Sequence, residues 1–360
     1  MTQPTPDQQE STSLETNGER RSRRPKVLVA VGALFLLALA LLVSERWTWG
    51  KFWFESIPLR LKMTLRAASA EELAQLGRIC NTLSKNDCSI GAYGRIVAEH
   101  PHNVEAVANL AMAQTKAHRY ADALGNYETV LRLGGSFVDV FYWYAVTLKE
   151  LGRTQEAISW YYKTLQADPD YLDVTDELIQ LLIQNNRQDE ALGVVGSFLG
   201  RRPNYKQYFT ATLVMIDSHL GERPGGSKAS ESLKIPAIGG LHYLPFRVTE
   251  NGPYEVGLVD TGATYLTLSS AFARDSQLSP AQTRGVIRLQ TANGVVPASI
   301  VLLPTVYIGR FKLKNLEAAI CDCPVLLGKS LLSRFHMEIM REKNIEFLIL
   351  TAPSASAARY

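Results

Sequence analysis

At 360 residues, 46% hydrophobic and 20% charged, the chain is long enough for two or three domains and too apolar to be disordered throughout. Its formal net charge of +3 gives no reason to expect a nucleic-acid partner. No zinc-type Cys/His spacing and no phosphate-binding glycine loop occurs, and His100, His102, His118, His219, His242 and His336 show no paired spacing, so neither metal nor cofactor is expected.

Residues 1–25 are mostly Gln, Thr, Ser, Pro, Glu and Arg with little to bury, and read as a disordered tail. Arg20, Arg21, Arg23, Arg24 and Lys26 then abut Val27 to Val43, an unbroken apolar or glycine run that would extend about 26 Å as a helix. The expectation is a transmembrane anchor over 26–46, with Trp47, Trp49 and Trp53 as an interfacial belt and no small-x-small cleavage site after it. The basic cluster would hold the N-terminus in the cytoplasm, making the chain a single-pass protein of a bacterial inner membrane with its remaining domains periplasmic. Residues 47–69, aromatic and basic around Pro58, read as a juxtamembrane connector, either resting on the membrane surface or plainly exposed.

A repeat follows over 70–203. Ala123, Ala157 and Ala191 are thirty-four residues apart, each after an acidic residue, and Tyr93, Tyr127 and Tyr161 keep the same spacing, as do Pro169 and Pro203. One period earlier, Gly77, Ser89 and Pro101 mark a degenerate first copy. The period is that of tetratricopeptide repeats and predicts an all-α solenoid of four helical hairpins, the alanines where two helices cross and the tyrosines and Trp143 between hairpins. Such solenoids bind protein partners on a concave face. Cys80 and Cys88 fall across the first hairpin in this register and make a disulfide candidate, whereas Cys321 and Cys323 are too close in sequence for an easy bridge and are expected as strand-edge thiols. Residues 204–232 read as a capping helix and linker, with Gly221 to Ser227 a flexible hinge.

Residues 233–351 turn to short strands with turn signals, which argues a closed all-β domain, and 352–360 is a tail. Within it Leu258-Val259-Asp260-Thr261-Gly262-Ala263 takes a β-rich run into an aspartate, a hydroxyl and a glycine that permits a sharp turn. An Asp-Thr-Gly triplet alone is an ordinary turn. Here it is followed, in order, by Gln290-Thr291-Ala292-Asn293-Gly294-Val295-Val296, with Asn293-Gly294 as a type I′ hairpin turn, and by Leu326-Leu327-Gly328.

This order resembles the retropepsin-like aspartic proteases of bacterial membrane-anchored proteins. The resemblance implies that Asp260 is catalytic, that Thr261, Gly262 and Ala263 shape its loop, that Ala292, Asn293 and Gly294 form a flap over substrate, and that Leu326, Leu327 and Gly328 support the loop. Asn293-Gly294 departs from the glycine-rich flap tips of the viral enzymes. One carboxylate cannot efficiently serve as both base and acid, and about 120 residues make only one lobe, so the partner acid is expected from a second copy in a homodimer. The implied function is an aspartic endopeptidase acting on protein or peptide substrates. The alternative is a non-catalytic scaffold whose repeats bind a partner and whose protease fold dimerises or holds a peptide.

Overall fold

The computed structural model describes residues 50–221, 232–278, 283–291 and 294–353. The chain divides into two compact units, Met1–Lys85 and Asn86–Tyr360.

In the first unit, α1 covers 50–64 and α2 is Ala70–Thr82. Ser69 starts α2 with a capping box: its hydroxyl accepts the Glu72 amide while the Glu72 carboxylate accepts the Ser69 amide. Two otherwise unpaired backbone donors are thereby satisfied. The expected membrane anchor is corrected here. The segment 26–46 lies outside the described residues, and no helix among the described residues is long and apolar enough to cross a membrane. The nearest, α1, carries Lys51, Glu55, Arg60 and Lys62, charges that a bilayer core disfavours. The inner-membrane placement and periplasmic orientation that rested on the anchor fall with it.

The second unit opens with a helical stack: α3 (Asn86–Glu99), α4 (Val104–Lys116), α5 (Tyr120–Arg132), α6 (Val138–Glu150), α7 (Thr154–Ala167), α8 (Leu172–Gln184), α9 (Gln188–Arg201) and α10 (Lys206–Gly221). The thirty-four-residue period has a physical cause at each step. Ala123, Ala157 and Ala191 are fully buried, as are Tyr127 and Tyr161. The acidic residue before each alanine pairs with the arginine three places earlier: Arg119 with Asp122 at 2.8 Å, Arg153 with Glu156 at 2.7 Å, and Arg187 with Glu190 at 2.6 Å. Just before these arginines, His118, Gly152 and Asn186 have φ of +59°, +75° and +57°, the left-handed step that ends one helix and lets the next begin.

The β domain follows in the same unit as three sheets. β1 (Ser232–Pro236), β10 (Ile345–Thr351) and β9 (His336–Glu342) pair in that order; β2 (Tyr243–Phe246), β3 (Glu255–Val259) and β8 (Leu326–Leu327) form the second; β4 (Leu266–Ser269), β7 (Phe311–Cys321), β6 (Gly294–Ile308) and β5 (Thr283–Thr291) form the third. Two short helices, α11 (Ser270–Asp275) and α12 (Lys329–Leu332), complete it.

The β domain beds directly on α9. Gly193, Gly196 and Gly200 line one face of that helix, and a Cβ at Gly193 would stand 2.6 Å from Pro236 Cδ while one at Gly200 would enter the Tyr243 ring. Polar ties close the junction: Arg310 with Asp189 at 2.6 Å, Gln166 donating to the Ala237 carbonyl at 2.6 Å, and a partly buried set in which Arg247 (2.8 Å) and the Tyr254 hydroxyl (2.7 Å) both reach Asp217. Burial pushes the Asp217 carboxyl above its ordinary range, against the opposing pull of Tyr254 and Arg247. Of the segment read as a hinge, only Gly221, the end of α10, is among the described residues.

Candidate active site

The site is built where β3 ends. Gly257 has no Cβ, and one would stand 2.7 Å from the Leu327 side chain, so β8 approaches β3 closely enough to pair in parallel, Leu258 with Leu326 and Val259 with Leu327. On the other side the Val259 amide donates to the His242 carbonyl at 2.9 Å. The chain leaves this clamp at Asp260, whose amide donates to the Leu327 carbonyl at 3.2 Å. A turn closes at once: the Ala263 amide donates to the Asp260 carbonyl at 3.2 Å, and the Gly262 amide donates to Asp260 Oδ1 at 2.8 Å. Asp260 is half-buried, while Thr261 and Gly262 are exposed at the turn's crest. Among the described residues the Gly262 amide is the carboxylate's hydrogen-bond partner, and no second acid bonds to it.

Leu326, Leu327 and Gly328 lie beneath this turn. Gly328 is pressed against backbone carbonyls, so that a Cβ would meet the Ala263 oxygen at 2.8 Å and the Tyr265 oxygen closer still. Because it fits there, α12 can hold the loop from below: the amides of Lys329 and Ser330 donate to the carbonyls of Ala263 (2.8 Å) and Thr264 (2.9 Å), and the Leu266 amide donates to Ser330 Oγ at 2.8 Å. Thr267 is the residue that motif reading missed. Its buried hydroxyl donates to the Pro324 carbonyl at 2.6 Å and accepts the Leu326 amide at 2.7 Å, which fixes the start of β8. The signal in the sequence was only a threonine between Leu266 and Leu268.

Strands β5 and β6, which flank the stretch read as a flap, pair as an antiparallel hairpin with Thr291 opposite Gly294. Gly294, expected as the second residue of an Asn293-Gly294 turn, is instead the first residue of β6, with φ +117°. Ala292 and Asn293 lie outside the described residues. On the inner side of the hairpin Ile287, Leu289, Val296, Ala298 and Ile300 gather with Tyr265 into an apolar cluster.

Cys321 and Cys323 belong to the same cluster and are joined as a disulfide, which corrects the expectation of two thiols. Residues 322–323 bend, bringing the two Cα atoms to 5.3 Å, within bridging reach. Cys80 and Cys88 are not free thiols either. His242, opposite the end of β3, keeps a buried Nε2 without a hydrogen-bond partner among the described residues, and burial lowers its pKa below the ordinary imidazole value, with Glu346 opposing. Among the described residues no three His, Cys, Asp or Glu side chains gather as a metal site.

Residues 247–334 match the family model described as gag-polyprotein putative aspartyl protease, and residues 108–171 match that of the tetratricopeptide repeat. The chain thus joins a retropepsin-like protease domain to tetratricopeptide repeats. Among solved structures, a retropepsin-like aspartic protease from Rickettsia conorii is 28% identical, over 32% of this chain and 97% of that one, with a TM-score of 0.27. A structure of MamA is 18% identical over 46% of this chain and 96% of that one, with a TM-score of 0.41. No curated protein matches the chain.

Proposed function

We propose that the chain is an aspartic endopeptidase acting on protein or peptide substrates, working as a homodimer to which each copy brings one Asp260. The observation that carries this reading is the turn at Asp260: a half-buried carboxylate held by the Gly262 amide, at an exposed crest and with no second acid bonded to it among the described residues. Two such turns meeting across a two-fold axis would place two carboxylates close enough to share a proton, which drives their pKa values apart. One then takes a proton from water as it attacks the peptide carbonyl, and the other, still protonated, supplies one to the departing amide. Thr261, Gly262 and Ala263 shape the turn, Leu326, Leu327 and Gly328 support it, and the hairpin tip at Ala292, Asn293 and Gly294 closes over substrate. The apolar inner side of the hairpin favours apolar residues beside the scissile bond.

The test is cleavage of a random peptide library by the full chain and by Asp260→Asn. Cleavage that vanishes in the variant while folding and self-association persist supports the reading; no cleavage by either protein, with both folded and dimeric, sinks it. A second reading, a non-catalytic scaffold, draws on the partly exposed aromatic side chains Tyr142 and Trp143 of α6 and Tyr171 just before α8. Binding of a peptide without its cleavage would favour that alternative.

A further inference from the structure

The first helices of the hairpins, α4, α6 and α8, carry a groove that the peptidase reading does not use. Between α4 and α6 it deepens into a cavity of about 200 Å³, lined by Glu105, Asn109 and Met112 on one side and Phe137, Asp139 and Trp143 on the other. Towards α8 the aromatic floor continues, Tyr142 packing against Trp143 at 5.0 Å and against Tyr171 at 5.4 Å between ring centroids. Phe137 is 50% exposed although it is large and apolar, and so is Tyr208 of α10 at 57%, whose hydroxyl donates to Asp176 at 2.6 Å. The β domain packs on α9, the second helix of its hairpin, and none of the groove residues named here is buried.

The cations on these helices are engaged, Lys116 over the Trp143 ring and Lys149 with Glu177, and the carboxylates left over outnumber them. Glu105, Asp139, Asp173 and Asp176 form no ion pair among the described residues, whereas neighbouring Glu177 is held by Lys149 at 2.6 Å. The negative field is felt by the rings. The Tyr142 hydroxyl is pushed up to about 12, first by burial and then by Glu177, Tyr171 and Asp173, and the Tyr171 hydroxyl is raised by burial, Asp139 and Asp173. Lys116 Nζ already stands 5.0 Å from the Trp143 centroid, so an ammonium group fits these ring faces.

We propose that this groove docks an extended lysine- or arginine-rich segment of a partner protein, its cations on the rings and carboxylates and its apolar residues in the cavity beside Phe137. An acidic segment would meet unpaired carboxylates along the whole groove, and a purely apolar one would strip their water without replacing it. The proposal is independent of the peptidase reading, because binding is measured with the full chain carrying Asp260→Asn.

The probe is a fluorescein-labelled nonapeptide of Lys and Arg with one Phe, followed by fluorescence anisotropy, with a version bearing Glu at every basic position as the control. The basic peptide should bind with an affinity that falls as salt rises, and the acidic one should not bind. Neutralising Glu105→Gln, Asp139→Asn, Asp173→Asn and Asp176→Asn together should weaken binding about tenfold or more, since each exposed charge contributes a fraction of that factor. Melting temperature should stay unchanged. Asp139→Lys with Asp173→Lys should move the preference to the acidic peptide. Equal binding of the two peptides, a dissociation constant unmoved by the four substitutions in a folded protein, or full displacement by equimolar spermidine would overturn the proposal, the last by pointing to a small cation instead of a protein segment.

Discussion

Gly196 of α9 lies so close to the carbonyl of Tyr243 that a Cβ would stand 2.7 Å from that oxygen. The obstacle is backbone, which cannot swing aside as a side-chain end does. Gly196→Ala should therefore push the β domain off the helix and cost about 1–3 kcal/mol, the usual penalty for overpacking. The internal control is Gly125→Ala in α5, where a Cβ would meet nothing within 4 Å; there alanine should stabilise by about 0.5–1 kcal/mol, the ordinary gain over glycine in a helix. Denaturant melts of the two variants decide it, and equal midpoints would remove the close approach as an explanation.

Thr267 offers a test inside the site. Thr267→Val keeps the shape but abandons the Pro324 carbonyl and the Leu326 amide, both next to β8, so about 1–3 kcal/mol of stability should be lost. Because β8 supplies the carbonyl that holds the Asp260 amide, kcat should fall further than the loss of folded protein accounts for. Thr267→Ser, which restores the hydroxyl, should recover most of both. Failure of serine to rescue would mean that packing, not the hydrogen bonds, is what threonine supplies there.

The cysteines near the first hairpin give a chemical test. The repeat register sets Cys80 opposite Cys88, and a bridge closing so short a loop should stabilise by about 2–3 kcal/mol on the chain-entropy estimate. Peptide mapping of unreduced, alkylated protein should recover the two as one linked fragment. Alkylation at both positions would sink the pairing.

The helical stack could be read from the sequence because three successive hairpins repeat the same local contacts: an alanine at a crossing, an acid that pairs with an arginine three places earlier, a left-handed step before it. The turn at Asp260 was readable for a similar reason, since its motif is local: Gly262 sits against the Asp260 carboxylate and Gly328 marks a close approach to the backbone carbonyls of Ala263 and Tyr265. What could not be read depended on partners far along the chain. Gly193, Gly196 and Gly200 look like weak spots in a helix until Pro236 and Tyr243 arrive some forty residues later. Gly294 was read as a turn residue because an Asn-Gly pair is a turn signal, and its place as the first residue of β6 depends on pairing with Thr291. Cys321 and Cys323 were read as thiols because the bend at 322–323 that brings them together leaves no composition signal.

The last prediction concerns one aspartate doing work that needs two. If each copy supplies half of the proton-sharing pair, activity should rise with the square of protein concentration while the chain is mostly monomeric and become linear once it is mostly dimeric. The pH profile should be bell-shaped, its two apparent pKa values belonging to the pair formed by Asp260 and the partner subunit's Asp260, and to neither alone. Mixing wild-type with an excess of Asp260→Asn chains should then poison activity, because most wild-type copies would sit in dimers holding one carboxylate. The variant keeps the amide of Gly262 within reach of a side-chain oxygen, so the turn and the dimer surface should survive the change. Light scattering and subunit exchange between differently labelled copies check that they do. Activity that stays linear at every dilution, with exchanging Asp260→Asn chains that do not inhibit, would place the second acid within the same chain and end the two-copy mechanism.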